Sequence, residues 1–224
     1  FALMAPPMQP KVPFAPTHVR FVEGDRVGEL AALLSLAPIF IIVAYATLIV
    51  SRRELHVGFV LVGQLANVRL NAALKAAIGE PRPSGAERTD AGMPSDHAQF
   101  MGFWATYICA FLAVRVRFAH RAGWRPLLGA AVALLAVLVA TSRVYLGEHS
   151  AAQVAVGGCI GALIGACWYA LYEAAVRPNV VALLRAPLLE YFYVRDCSHL
   201  SDVVSWEHAA IAAARAESVG RRTR

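Results

Sequence analysis

No two cysteines of this chain stand at C-x-x-C spacing, so zinc binding and thiol redox chemistry have no footing in the sequence. Of the four cysteines, Cys109, Cys159 and Cys167 fall inside apolar stretches and Cys197 in a polar tail, where each reads as a small structural side chain rather than a disulfide partner. Basic residues are in excess, with a net charge of +6 and a pI near 9.5, yet no Lys/Arg run interleaved with aromatics builds the basic face that a nucleic acid needs. Nucleic-acid binding is therefore excluded as the main role. The chain also lacks an internal repeat, and Phe1 to Pro16 lacks the basic start and apolar run of a signal peptide. A proline-rich, flexible or surface-lying arm is expected there.

What the chain has in excess is apolar surface. Hydrophobic residues fill 58% of its 224 positions and the mean hydropathy is +0.53. Soluble domains hold about 45–50%. A hydrocarbon core about 30 Å thick takes roughly 20 apolar residues per helix, and five such stretches lie near 30–50, 56–78, 98–116, 126–143 and 150–172. The expected fold class is all-α, a multi-pass transmembrane helical bundle of about five spans. The organisation that follows is an N-terminal arm over 1–29, a membrane domain over 30–176 and a C-terminal tail over 177–224, with a helix expected over Trp206 to Glu217.

The arginines orient the bundle. Arg52 and Arg53 follow the first span, Arg115, Arg117, Arg121 and Arg125 separate the third from the fourth, and Arg177 and Arg185 follow the fifth. With five spans these regions share one side, which the positive-inside rule makes cytoplasmic. The arm, the loop from Ala77 to His97 and the turn around Gly147 fall on the other side, in an organelle lumen or a bacterial periplasm.

Three short strings lie at that non-cytoplasmic side. They are Lys75 followed after six residues by Arg82-Pro83, then Pro94-Ser95-Asp96-His97, then Ser142-Arg143 followed after five residues by His149. Each is weak alone; in this order, near the ends of apolar segments, they read as one phosphate-handling site. In the second span Gln64, Asn67, Asn71 and Lys75 recur at spacings of three and four, which places them on one helical face. Gln64 and Asn67 are expected to bond neighbouring helices, and Lys75, at the end of the stripe, to meet a ligand. Arg69 lies on another face and needs a partner, for which Glu148 or an acidic residue of the 80–90 loop is available. In the fifth span His149, Gln153, Gly157, Gly161 and Gly165 repeat every four residues. That stripe of small residues suits close helix packing with Gln153 one turn below the histidine.

Transfer of a phosphoryl group needs positive charge around its oxygens, a nucleophile in line and a proton for the leaving oxygen. Arg82 and Arg143 can grip phosphate in a bidentate way and Lys75 adds a compact charge. Ser95 can donate its hydroxyl. Of His97 and His149, one imidazole can attack phosphorus while the other serves as acid. Three fixed cations make a metal cofactor unnecessary. His18, His56, His120, His199 and His208 lie outside these strings and read as structural, and Asp90, Asp96 and His97 fit no standard metal-ligand spacing.

These strings resemble the signature of the type 2 phosphatidic acid phosphatase superfamily, Lys-x6-Arg-Pro, Pro-Ser-x-His and Ser-Arg-x5-His. The resemblance implies that Lys75, Arg82, Ser95 and Arg143 bind phosphate, that His149 becomes a phosphohistidine and that His97 protonates the leaving group. Further strings are similar to the dolichyl-diphosphatase branch: Ser51-Arg52-Arg53-Glu54-Leu55-His56, Gly92-Met93-Pro94, Ser142-Arg143-Val144-Tyr145-Leu146 and Glu190-Tyr191-Phe192-Tyr193-Val194-Arg195-Asp196. That similarity covers most positions from Thr17 to about Ala214. It implies an endoplasmic reticulum membrane enzyme that hydrolyses dolichyl diphosphate on the lumenal side and recycles the carrier used for N-glycosylation. Gln153 stands where many superfamily members have an aspartate that orients the nucleophile. Asp96 fills a position that is more usually small and neutral, where it could hold a proton on His97, repel phosphate or point away.

Phosphatidic acid or undecaprenyl diphosphate would suit the same strings, as would a lipid-phosphate binder or flippase without turnover. A serine hydrolase built on Ser95 and His149 leaves Lys75, Arg82 and Arg143 without purpose, and buried unpaired cations are costly. Vanadate-dependent haloperoxidases share the phosphate-binding pattern but are soluble.

Overall fold

A computed structural model describes residues 19–116, 123–197, 199–200 and 202–222. The N-terminal arm up to residue 18, His18 itself, and Arg117, His120 and Arg121 lie outside the described residues. Among the described residues there are helices and turns, with one isolated β-bridge and no strand. Five helical segments are long and apolar enough to cross a membrane.

The first crossing is broken in two. α1 (Arg26–Leu34) begins on Asp25, whose carboxylate accepts from the Val27 N–H, and α2 (Ala37–Arg52) restarts after Ser35 and Leu36 with proline near its first position. The crossing thus starts ahead of the apolar stretch seen in the sequence. α3 (Leu55–Ile78) ends on Gly79 at φ +65, a left-handed closure that glycine adopts without strain. α4 (Asp96–Val114), α5 (Trp124–Tyr145) and α6 (Ala151–Leu171) complete the bundle. Short turns then lead through α7 (Val180–Leu184) and α8 (Pro187–Tyr191) to α9 (Val203–Arg222), which contains the helix expected over Trp206 to Glu217.

The most extensive packing is between α4 and α6, flanked by α5 and α3. Glycine makes that closeness possible. A Cβ placed on Gly157 would lie 2.6 Å from the Ser95 carbonyl oxygen, one on Gly161 only 2.0 Å from that of Gln99, and one on Gly165 2.6 Å from that of Phe103. The polar stripe of α3 faces α4 and bonds to it throughout. Gln64 donates to the Phe100 carbonyl, Asn67 and Gln99 exchange amide bonds, and Asn71 donates to the Pro94 carbonyl and to Gln99 Oε1. Buried between the helices, such bonds fix the register of α3 on α4.

At the opposite end an aromatic cluster closes the bundle around Tyr45, Phe103, Tyr107 and Tyr169. His56 belongs to it: it is buried, bonded to the Tyr107 hydroxyl at 3.0 Å and stacked on Phe111. Below it the tail docks on the α2–α3 turn. The Leu55 N–H donates to the Arg195 carbonyl, Arg195 pairs with Glu54 at 3.1 Å, and Arg52 pairs with Glu207. Arg115 pairs with Glu173 at the same end. Two of the strings that resemble the dolichyl branch, around Glu54 and Arg195, therefore touch each other far from the site. All four cysteines are free thiols.

Candidate active site

The C-terminal ends of α3 and α5, the N-terminal ends of α4 and α6, and the loop between α3 and α4 meet at one end of the bundle. They bring together all six residues of the three strings. His149 sits in the turn before α6, 1% exposed. Its Nδ1 lies 3.2 Å from Gln153 Oε1. Gln153 is itself fixed, since its amide nitrogen donates to Glu80 Oε1 at 2.9 Å and to the Pro81 carbonyl at 2.8 Å. Its carbonyl oxygen must then face the imidazole, which sets the proton on Nδ1 and leaves Nε2 as the basic nitrogen. Gly92 makes room for this arrangement, because a Cβ there would come within 2.6 Å of the Gln153 amide.

Nε2 of His149 faces Arg82 Nη1 at 3.0 Å and Asp96 Oδ1 at 3.3 Å. The same Asp96 oxygen lies 3.2 Å from His97 Nδ1, so the two histidines meet at a single oxygen atom. Asp96 does not point away from the site. His97 Nε2 faces the Ser35 carbonyl at 3.0 Å, in the break between α1 and α2.

The cations surround this point. Arg82 is buried, holds Asp90 through Nε and Nη2, and donates from Nη1 to the Glu148 carbonyl. Lys75 Nζ lies 3.8 Å from Asp90 and 3.9 Å from Asp96. Arg143 is 4% exposed; its Nη2 lies 3.8 Å from Glu148, while its Nε and Nη1 are buried and meet no acceptor among the described residues. The hydroxyl of Ser95 is equally buried and has no partner among the described residues. Ser95 is the N-cap of α4, yet its side chain makes no cap bond. A serine in that position ordinarily bonds its own helix, so this one is left free for something that enters the site. Unpaired buried donors cost roughly 1–3 kcal/mol each, and an anion placed among them relieves that cost.

Burial holds the His149 imidazole below its ordinary value of 6.5, opposed by the carboxylate of Asp96. The neutral imidazole therefore persists into mildly acidic solution. The acid limb of kcat/KM for phosphate release is expected below pH 6.5, as a pH profile in detergent would check; an acid limb above that value would contradict the assignment. For Asp90, burial alone raises the carboxyl, but Arg82, Arg88 and Lys75 more than offset it and hold the group below its ordinary value.

Several members of the site are not among the residues the three strings specify: Glu80 and Glu148 fill variable positions within the first and third strings, and Arg88 and Asp90 lie between the first and the second. Arg69 does not reach Glu148 or the acidic residues of the 80–90 loop. It is exposed on the outer face of α3 and has no ion pair among the described residues, because Glu148 is engaged by Arg82 and Arg143. Among the described residues no three His, Cys, Asp or Glu side chains converge as a metal site requires.

A helical bundle with five apolar crossings and with two histidines and several buried cations at one end is an integral membrane protein with a site for an anion. Residues 56–177 match the PAP2 superfamily, and the chain belongs to it. Dolichyldiphosphatase 1 of Homo sapiens is 37% identical over 219 residues, covering 94% of this chain and 91% of that protein. Lipid phosphate phosphatase gamma of Arabidopsis thaliana is 33% identical, over 89% of this chain and 90% of its own. The crystal structure of a transmembrane PAP2 type phosphatidylglycerolphosphate phosphatase from Bacillus subtilis superposes with a TM-score of 0.59 at 21% identity, over 69% of this chain and 80% of that one. That likeness speaks to the fold.

Proposed function

We propose that this protein hydrolyses dolichyl diphosphate to dolichyl phosphate and phosphate, on the lumenal face of the endoplasmic reticulum membrane, and so returns the lipid carrier for protein N-glycosylation. The observation that carries the chemistry is the meeting of His97 and His149 at one carboxylate oxygen, beside buried donors of Arg143 and Ser95 that no group among the described residues satisfies. The relatedness to dolichyldiphosphatases supports the substrate.

In the first step His149 Nε2 attacks the terminal phosphorus. The bond from that phosphorus to the bridging oxygen breaks, and dolichyl phosphate leaves with a proton from His97. Lys75, Arg82, Arg143 and Ser95 hold the equatorial oxygens, where charge must be stabilised in the transition state. In the second step water attacks the phosphorus of the phosphohistidine, the phosphorus–nitrogen bond breaks with its electron pair returning to His149 Nε2, His97, neutral after the first step, takes the proton of the water, and phosphate leaves. Gln153 keeps His149 in the reactive tautomer. Its amide stabilises a developing imidazolium less than a carboxylate would, but its bond to Glu80 places a carboxylate one link further back. No step needs a metal.

The charge distribution supports the lumenal placement. Arg52, Arg115 and Arg177 lie at the end of the bundle opposite the site, where an excess of arginine marks the cytoplasmic side.

The test is phosphate release by the purified protein from dolichyl diphosphate, with EDTA present and phosphatidic acid as a competing substrate. Release that survives EDTA and prefers dolichyl diphosphate is expected. A preference for phosphatidic acid would move the protein to a different lipid substrate, and binding of either lipid without turnover would make it a binder or flippase.

A further inference from the structure

Arg88 belongs to none of the three strings. It lies in the loop between α3 and α4 and closes the outer edge of the site. Its Nη2 is 2.9 Å from Asp90 Oδ2 and its Nη1 is 3.3 Å from Asp96 Oδ2. The Arg88 side chain is 36% exposed, against 2% for Arg82, 5% for Arg143 and 12% for Lys75. The four cations thus run from the interior to the mouth, with Arg88 outermost.

The two carboxylates give the spacing between the inner and outer charges. Asp90 Oδ2 touches Arg88 at 2.9 Å and Arg82 Nη2 at 3.3 Å, and lies 3.8 Å from Lys75. Asp96 Oδ2 lies 3.3 Å from Arg88 and 3.9 Å from Lys75. Arg88 is therefore separated from Arg82 and from Lys75 by one oxygen atom. An anion seated against His149, Arg82 and Arg143 places whatever is attached to it on its outer side within reach of Arg88. In a monophosphate ester that attachment is an uncharged carbon chain. In a diphosphate it is a second phosphoryl group, with oxygens of the kind a guanidinium binds in bidentate fashion. The pairing with Asp90 and Asp96 holds Arg88 across the mouth in advance, which lowers the ordering cost when an anion arrives.

We propose that Arg88 binds the inner phosphoryl of a lipid diphosphate, the one kept on the lipid, and thereby sets a preference for diphosphates over monophosphates. This rests on the phosphatase reading above. The incoming phosphoryl takes the place of the Asp96 carboxylate on Arg88 and Lys75. Asp90 stays with Arg82 and keeps the loop in position.

The experiment measures kcat and KM for a prenyl diphosphate and a prenyl monophosphate of the same chain length, using the full-length wild type, Arg88→Gln and Arg88→Lys. A charge-assisted bond is lost in the glutamine variant, so the ratio of kcat/KM for diphosphate over monophosphate is expected to fall roughly tenfold to a hundredfold, through KM of the diphosphate. Arg88→Lys is expected to regain part of the ratio. A loss that is equal on both substrates would overturn the proposal and make Arg88 a mere counter-charge for Asp90 and Asp96; so would no loss on either. A wild type that turns over neither substrate would overturn the phosphatase reading itself, and this proposal with it.

Discussion

Replacing His149 by alanine is expected to lower phosphate release by at least about four orders of magnitude, the scale seen when a nucleophile acting as part of a unit is removed. The size follows from how the site is built. The Nε2 nitrogen is the one basic atom placed at the point where Arg82, Asp96 and His97 converge, and its tautomer is set from behind by Gln153. Ser95 is close in sequence to His97, but its hydroxyl has no hydrogen-bond partner among the described residues, so no imidazole activates it. The cations survive the substitution. The variant should therefore still bind vanadate or inorganic phosphate, and this separates loss of the nucleophile from loss of the fold. A variant that keeps a tenth of the activity would show that water attacks the lipid diphosphate directly.

The second large effect concerns the contact beneath the site. Gly161→Ala places a methyl group 2.0 Å from the Gln99 carbonyl oxygen, and both atoms belong to helix backbones that cannot rotate away. Overpacking of this kind costs about 1–3 kcal/mol, which for a chain of this length lowers the melting temperature by roughly 2–12 °C. The push does not stop at the contact. The Gln99 carbonyl accepts from Asn67, and the Gln99 side chain bonds Asn71, which bonds the Pro94 carbonyl next to Ser95. Activity should fall along with stability. Gly158→Ala, on the same helix, meets nothing within 4 Å and gains helix propensity, so it is expected to be neutral or slightly stabilising. Equal melting temperatures for the two variants would contradict the close packing of α4 on α6.

Much of this arrangement is legible in the sequence, for reasons that differ by element. The five crossings are visible because each needs a long apolar stretch. The stripes Gln64–Asn67–Asn71–Lys75 and His149–Gln153–Gly157–Gly161–Gly165 are visible because helical spacing puts them on one face, and both faces turn inward as that spacing requires. The six residues of the three strings converge because they stand at the ends of adjacent antiparallel helices. What is not legible depends on how a loop closes. The bond from Gln153 to Glu80 spans residues 73 apart, and Arg82 reaches the Glu148 carbonyl across 66. No periodicity encodes these distances. The break at Ser35, which gives His97 a carbonyl to face, has a local signal in Pro38, but the apolar run on either side makes the two helices read as one stretch. Arg69 shows the converse. A charge in a span suggests an internal partner, but its helical angle turns it outward, and the acid nearest to the site is already held by Arg82 and Arg143.

The most direct test of the central claim is to trap the intermediate. Purified protein is mixed with a lipid diphosphate carrying a labelled terminal phosphoryl group, quenched in alkali during turnover and digested, and the labelled peptide is identified by mass spectrometry. The label is expected on His149, stable in alkali and lost in acid, and absent from the His149→Ala variant. Turnover of the lipid with no covalent label, or with the label on another residue, would contradict the phosphohistidine mechanism and the role given to every residue that supports His149.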